Sequence, residues 1–461
     1  MPKYIISFAL AVALTAALCL GPMGVDAKRT WTSPKLQGQL QGELTKNDPT
    51  GLCDTVKSQA GYFKITGSKN KNYFYWFFES RNHPETDPVI LWMTGGPGCS
   101  SGVALFKENG PCQIDPDHDD KTIINPYGWN SNASIMYIDQ PVGVGFSYGD
   151  KSDADHDEEE VAEDMFHFLH EFSEANNNLL KTNDFFVFGE SYGGHYAPAT
   201  ANRVGKTLNL QGLGVGNGLT DPEHQYPSYP EMAYNYSIEV TGSPSVTLEQ
   251  YESMKAALPG CLDSIKICQE NGGDSCAKAQ SQCNGALLSP YYNTGLNPYD
   301  IREKCKVKPL CYNFTNVEFF LDMESTQKSL GVPGHINWQS CNFTVNAAFA
   351  NDWMRSFAYT IPNLLGLGVR VLIYDGDMDF VVNWIGDKAW TLALDWEGKE
   401  GFNNLTDQPF NGKDGKIAWY TRSLSGFTFM RFANAGHMVP LDKPENALDM
   451  LNRFLDNRPF V

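Results

Sequence analysis

Gly189-Glu190-Ser191-Tyr192-Gly193 spells G-x-S-x-G, a spacing that sets a serine hydroxyl on a sharp strand-to-helix turn, exposed for attack on a carbonyl. Phe185 to Phe188 read as a short buried strand before it, and Ala197 to Val204 as a helix after it. The plainer alternative is a glycine-rich turn whose serine caps the helix. A serine hydroxyl is a weak nucleophile at its own pKa, so the first reading demands a base, usually histidine, and a carboxylate to orient the imidazole. In elbow hydrolases the order along the chain is serine, acid, histidine, each after a strand. Downstream of Ser191 stand His195, His224, His335 and His437. His195 is too near in sequence to fold back onto Ser191, and His224 and His335 fall in a stretch without regular strands. Of the four, only His437 follows a core-type strand, Phe427 to Phe432. The acid must precede it. Asp375, Asp377 and Asp379 follow the strand Val369 to Tyr374, and residue type alone does not choose among them; a solvated or calcium-binding loop is the alternative. Upstream, Gly95 and Gly96 follow the strand Pro88 to Met93. Two glycines after a strand leave backbone N–H groups free, as an oxyanion hole requires, or they make an ordinary Gly-Pro turn.

These residues need a frame, and the chain spells one out. Tyr62 to Ile65, Tyr73 to Phe78, Ser134 to Asp139 and Gly212 to Gly218 are further strand-like runs. Val161, Met165, Phe168, Leu169 and Phe172 recur at helical spacing, and Pro444 to Leu455 closes the chain as a helix. His167, His170 and Glu171 match no zinc-binding spacing and read as a solvated helix face. Gly143-Val144-Gly145 lacks the Gly-Lys-Ser/Thr of a phosphate loop. Residues 28–60 look polar and irregular. From about 221 to 350 the chain is rich in tyrosine, proline and cysteine, which suggests an inserted domain stapled by disulfides. Strands alternating with helices on both sides of it predict an α/β fold with a mostly parallel sheet. The expected divisions are 1–27, 28–220, 221–350 and 351–461, the second and last being two parts of one core.

Composition sets the compartment. The formal net charge is −19, which argues against nucleic acid or an anionic membrane as the main partner and suits acidic surroundings. Lys3 and the apolar run Tyr4 to Leu20, ending in the small-residue site Val25-Asp26-Ala27, read as a removable signal peptide, and no later stretch is apolar for long enough to span a membrane. Of 11 cysteines, Cys19 leaves with that segment and ten remain. Six of them lie between Cys261 and Cys311, where an exported chain favours disulfides over a zinc cluster. Asn132, Asn235, Asn313, Asn342 and Asn404 begin N-x-S/T glycosylation acceptors. A soluble glycoprotein of the secretory route, lysosomal, vacuolar or secreted, is expected.

Trp92-Met93-Thr94-Gly95-Gly96-Pro97-Gly98-Cys99-Ser100-Ser101, Gly189 to Tyr196, Asp375 to Phe380 and Gly436-His437-Met438-Val439-Pro440 resemble the four signature blocks of the serine carboxypeptidases of the carboxypeptidase Y and cathepsin A type. The likeness runs from about Gly61 to the C-terminus. It implies an α/β-hydrolase core with a disulfide-rich cap, and Ser191, Asp379 and His437 as the triad. It further implies the backbone N–H groups of Gly96 and Tyr192 as oxyanion donors, and no cofactor or metal. Thr94, Gly95, Glu108 and Glu190 match positions that bind the terminal carboxylate of a peptide. Two adjacent carboxyls cannot both ionise cheaply, so the pair Glu108 and Glu190 should hold a proton and favour peptidase action at acid pH.

The resemblance also implies the disulfides Cys99–Cys341, Cys261–Cys283, Cys268–Cys276 and Cys305–Cys311, leaving Cys53 for Cys112. The chain departs from the pattern at Thr94, where the family often has asparagine, and at Val382, where some members carry a free cysteine sensitive to mercurials. The expected activity is release of single C-terminal residues from peptides with a free C-terminus. The alternatives are an acyltransferase or esterase with the same triad, or a non-catalytic binding partner on this scaffold. Preference for a C-terminal residue and oligomeric state, monomer or homodimer, are not legible.

Overall fold

Val-Ile-Leu-Trp-Met-Thr and Phe-Phe-Val-Phe-Gly-Glu have no polar face to turn to water, and both become strands buried on both sides. The computed structural model describes residues 42–461, and the leader read at 1–27 lies outside them. One sheet is built from eleven strands: β1 (Gly42–Leu44), β2 (Ser58–Ile65), β3 (Asn72–Phe78), β4 (Val89–Thr94), β5 (Ser134–Ile138), β6 (Phe185–Glu190), β7 (Leu210–Gly216), β8 (Arg370–Gly376), β9 (Gln408–Asn411), β10 (Ile417–Leu424) and β11 (Phe427–Phe432). Their order across the sheet is β1-β2-β3-β5-β4-β6-β7-β8-β11-β10-β9. The centre, from β5 to β11, is parallel. Antiparallel strands extend it at both edges. This is the α/β-hydrolase architecture.

Six helices matter below: α1 (Glu158–Ala175), α2 (Gly193–Val204), α3 (Leu248–Asn271), α4 (Asp274–Cys283), α5 (Trp384–Ala393) and α6 (Pro444–Leu455). Side chains alternate between two cores. Leu91, Met93, Phe185 and Val187 pack with Val161, Met165, Phe168 and Phe172 of α1. Ile90, Trp92, Phe186 and Phe188 pack on the opposite face with Met450, Leu451 and Phe454 of α6. α1 starts where Asp157 accepts from the Glu159 and Glu160 N–H groups at 3.0 Å, and the three glutamates of its first turn complement the helix dipole.

The solvated face expected at His167, His170 and Glu171 is not there. His170 is 6% exposed. Its ring lies 4.2 Å from that of Phe166. His167 Nε2 is 3.2 Å from Glu163. The cause is α2, whose Arg203 bonds Glu163 at 2.6 Å and covers the Phe166 ring at 3.7 Å. Residues 28–60 also contain more order than expected, since β1 pairs with β2 and β2 begins at Ser58. A three-residue edge strand carries no periodic signal.

Residues 221–350 leave the sheet between the neighbouring strands β7 and β8. They are mostly helical, with one hairpin, Leu296–Asn297 against Asp300–Lys304. Cys261–Cys283 and Cys268–Cys276 tie α3 to α4, and Cys305–Cys311 closes a short loop. Cys99–Cys341 and Cys53–Cys112 complete the disulfides, so every described cysteine is bridged. No helix among the described residues is long and apolar enough to cross a membrane.

Candidate active site

Ser191 stands where β6 turns into α2, at φ +63°, a left-handed conformation that costs a non-glycine residue free energy. Backbone bonds over-determine it. Ser191 N–H donates to Gly216 O at 3.1 Å, and Leu219 N–H donates to Ser191 O at 2.9 Å.

Of the three aspartates at the end of β8 and just beyond it, Asp379 is the one that meets an imidazole: its Oδ2 lies 2.6 Å from His437 Nδ1. The Val381 and Val382 N–H groups also donate to its carboxylate, at 3.1 and 3.2 Å. Burial pushes the Asp379 pKa up, while His437 and these donors pull against it. Asp377 instead accepts from Asn434 N–H at 2.8 Å and, chiefly through burial, is pushed up to about 6. Asp375 faces Asp387. The two loops press together, since a Cβ on Gly376 would lie 2.0 Å from Gly436 O.

The hairpin of residues 296–304 braces both loops. Pro298 O accepts from Phe380 and Val381 N–H at 3.0 Å, and Tyr299 O accepts from His437 N–H at 2.9 Å. Nothing in residue type announces such carbonyls. Ser191 and His437 line one cavity of about 240 Å³. No direct hydrogen bond between Ser191 Oγ and the imidazole occurs among the described residues; in free enzymes such bonds are often long and tighten on substrate.

Gly95 and Gly96 lie against the elbow. A Cβ on Gly95 would sit 2.2 Å from Tyr192 N, so only glycine lets the two backbones approach. Neither Gly96 N–H nor Tyr192 N–H donates to a protein acceptor among the described residues. Both are therefore free for an anion beside the N-terminus of α2. Asn346 fixes the glycine loop by donating to Gly96 O and Pro97 O at 3.1 Å each. The Tyr192 ring stacks on His195 at 4.4 Å, and its hydroxyl donates to Asp352 Oδ2 at 2.8 Å. His195, set aside above as a base, is a brace: its Nδ1 bonds Leu219 O, and burial drops its pKa to about 4.

Glu190 ends β6, and Glu108 follows the short helix Gly102–Lys107. They are 1% and 2% exposed. Their carboxyls face one another, and neither Glu108 oxygen has a donor among the described residues, so a hydrogen bond between the two requires a shared proton. Burial above all raises both pKa values, with the partner's charge next for Glu190; Glu108 is pushed up to about 7. Glu190 and Thr94 line the cavity, whereas Glu108 and Gly95 do not. Thr94 Oγ1 accepts from Trp92 Nε1 at 2.9 Å, which leaves its own proton free to donate. Much of the rest of the wall is aromatic, including Tyr229, Tyr292, Tyr299, Tyr312, Phe314 and Trp353. All but Trp353 come from residues 221–350.

Asn132, Asn235, Asn313 and Asn404 are exposed. Asn342 is half-buried, with Nδ2 donating to Gly143 O and Oδ1 accepting from Thr344 N–H, both at 2.9 Å. No group of three His, Cys, Asp or Glu arranged to hold a metal occurs among the described residues. A larger groove of about 440 Å³ lies elsewhere, but its arginines are already engaged: Arg422 by Asp407, Arg453 by Asp449, and Arg370 by the Phe454 and Leu455 carbonyls.

A family model described as serine carboxypeptidase matches residues 49–457. A protein from Arabidopsis thaliana named serine carboxypeptidase-like 49 is 42% identical over 424 residues, covering 90% of this chain and 79% of that one. Carboxypeptidase Y from Candida albicans is 42% identical over 421 residues, covering 89% and 75%. Among solved structures, Kex1(delta)p, a prohormone-processing carboxypeptidase from Saccharomyces cerevisiae, superposes with a TM-score of 0.76 at 25% identity, covering 87% of this chain and 92% of that one.

Proposed function

The chain belongs to the serine carboxypeptidase family, and from that premise we propose that it releases single C-terminal residues from peptides and proteins through an acyl-enzyme on Ser191. The observation that carries this reading is the meeting of three things at one cavity: a serine at a strained turn, an imidazole held by a buried carboxylate, and a buried glutamate, Glu190, that faces Glu108. His437 takes the Ser191 proton and later returns it to the leaving amine. Asp379 fixes the imidazole with Nε2 toward the cavity. Gly96 and Tyr192 N–H groups stabilise the tetrahedral oxyanion. Glu190, kept protonated by burial and by Glu108, donates to the substrate's terminal carboxylate, with Thr94 beside it. Two ionised glutamates would repel that carboxylate, so the reaction favours acid pH.

Residues 221–350 act as a cap that supplies the aromatic wall, and the leader sends the chain to the secretory route, with a lysosome or vacuole as the acidic destination. The four exposed acceptor asparagines are the proposed glycan sites. Hydrolysis of an N-blocked dipeptide acid and of its C-terminal amide at about pH 5 tests the reading, because only the acid presents the charge that Glu190 reads. Strong preference for the acid, abolished by Ser191→Ala, is the expected result. Equal rates would point to an esterase, and acyl transfer to an alcohol without hydrolysis to an acyltransferase.

A further inference from the structure

Two carboxyls outside this machinery bracket the loop that carries Asp379. Asp375 is the next-to-last residue of β8, and Asp387 lies in the first turn of α5. Both side chains are fully buried. Neither oxygen of Asp375, nor Oδ2 of Asp387, meets a donor among the described residues. What each faces is the other, close enough for a hydrogen bond through a shared proton. Two carboxylates cannot make that bond, whereas an acid and a carboxylate can, so the contact lasts only while the pair keeps a proton.

The bonds continue toward the serine. Asp387 Oδ1 accepts from Trp390 Nε1 at 2.9 Å and from Gln225 Nε2. Gln225 Nε2 also donates to Gly218 O at 3.0 Å, and Gln225 Oε1 accepts from Thr220 and Asp221 N–H at 2.8 and 2.7 Å. Leu219, between those residues, donates to the Ser191 carbonyl. Asn217 adds a second tie, accepting from Gly376 N–H at 2.8 Å and donating to Val382 O at 3.0 Å.

We propose that Asp375 and Asp387 form a proton-dependent clasp that holds the Asp379 loop in register with the Ser191 turn. They are positioning residues, and the proposal rests on the triad reading above. Several charged and titratable groups surround the pair. Asp377 and Asp379 share the loop, and His437 stands opposite. Arg431 comes from β11 and Tyr229 from the short helix before α3. Lys388, beside Asp387, is engaged by Asp407, and His224, beside Gln225, by Asp221. Glu223 shares the helix of His224, and Lys399 and Glu400 open the helix after α5. No cation bonds either carboxyl of the pair among the described residues, so the shared proton alone closes the clasp. Burial leads the upward shift of both groups, Asp387 to about 7.

The test uses the full chain and an N-blocked amino-acid ester, which has no free carboxylate and so bypasses Glu108 and Glu190. In the wild type kcat should fall about tenfold over the roughly two pH units in which the pair gives up its last proton, above the value of about 7 to which burial raises Asp387. Asp375→Asn supplies an N–H to the Asp387 carboxylate without any proton, so this fall should shrink to less than about twofold, and the decline of Tm over the same range should flatten. Asp375→Leu should lose kcat at every pH with KM little changed, and the asparagine variant should restore it. Asp387→Asn, which donates from the other side, repeats the test if the first variant does not fold. Asparagine variants whose pH profile and Tm slope superimpose on the wild type would overturn the clasp. A wild type that hydrolyses no ester or peptide would instead overturn the triad reading, while the Tm comparison would still decide the pairing.

Discussion

Glu190 and Glu108 are not equivalent, and the difference is measurable. Glu190 lines the cavity and Glu108 does not, so in the proposed mechanism one touches substrate and the other sets its protonation. At about pH 5 the pair should retain its proton, and in the proposed mechanism Glu190 donates to the substrate carboxylate. As pH climbs beyond about 7, the value to which burial raises Glu108, the pair gives up its protons, and Glu190, which burial and the Glu108 charge raise well above the ordinary carboxylate range, loses its own last. Loss of the Glu190 proton makes KM for a dipeptide acid about tenfold higher roughly one pH unit above its midpoint than at about pH 5. The ceiling on the effect is a hydrogen bond to a charged group, about 1.5–3 kcal/mol, or roughly 10- to 150-fold. In Glu190→Gln an amide donates at every pH, so KM should become flat from acid to alkaline. At about pH 5 it should stay within about fivefold of wild type, because one neutral donor replaces another. Glu108→Gln should keep the alkaline rise but begin it at lower pH, since Glu190 loses its like-charged neighbour while remaining buried. KM and kcat for the acid and for its amide, measured across this range, give the answer, and the amide should show no rise. A wild-type KM that does not change with pH, or a rise that survives unchanged in Glu190→Gln, would refute the reasoning.

Gly95→Ala should lower kcat by about 10²- to 10³-fold with native circular dichroism, because its Cβ would fall 2.2 Å from Tyr192 N and displace the backbone that carries both proposed oxyanion donors. A loss confined to KM would place those donors elsewhere. Stability should be highest in acid. Glu108, Asp352 and Asp387 are raised to about 7, chiefly by burial, so above the ordinary carboxylate range near pH 4 the folded chain binds more protons than the unfolded one. That contribution is complete below about pH 4 and is lost as pH climbs through about 7, so Tm should drop by several degrees from about pH 5 to 8. A Tm constant or rising over this interval would contradict it.

The parts of the fold readable from sequence are those where one physical requirement dominates. A strand covered on both faces must be apolar throughout, and β4, β6, β8 and β11 announce themselves in that way. Edge strands face no such demand. β1 is three residues long, and β9, Gln408–Asn411, is largely exposed, so neither is legible. In residues 221–350 the tyrosines and prolines hide helical segments that are short or held by disulfides, and α3 continues through Pro259. His170 misleads for a related reason. Helical periodicity identifies the face toward the sheet, but it does not reveal that a second helix, α2, covers the flank.

At the site, what is legible is what must follow a strand. Ser191, Asp377, Asp379 and His437 stand just past the C-terminal ends of parallel strands, and Asp375 within the end of one, where a sheet leaves side chains free to meet. Choosing Asp379 from its neighbours requires knowing what each carboxyl faces: an imidazole for Asp379, a backbone N–H for Asp377 and another carboxyl for Asp375. Residue type cannot encode that difference. Nor can it show that Pro298 and Tyr299 offer carbonyls to both loops, or that Asn346 holds the glycines. The same limit explains why Glu108 and Glu190, and Asp375 and Asp387, look in sequence like four ordinary acids. Only burial without a donor turns a pair of carboxyls into a proton trap, and burial belongs to the packed chain.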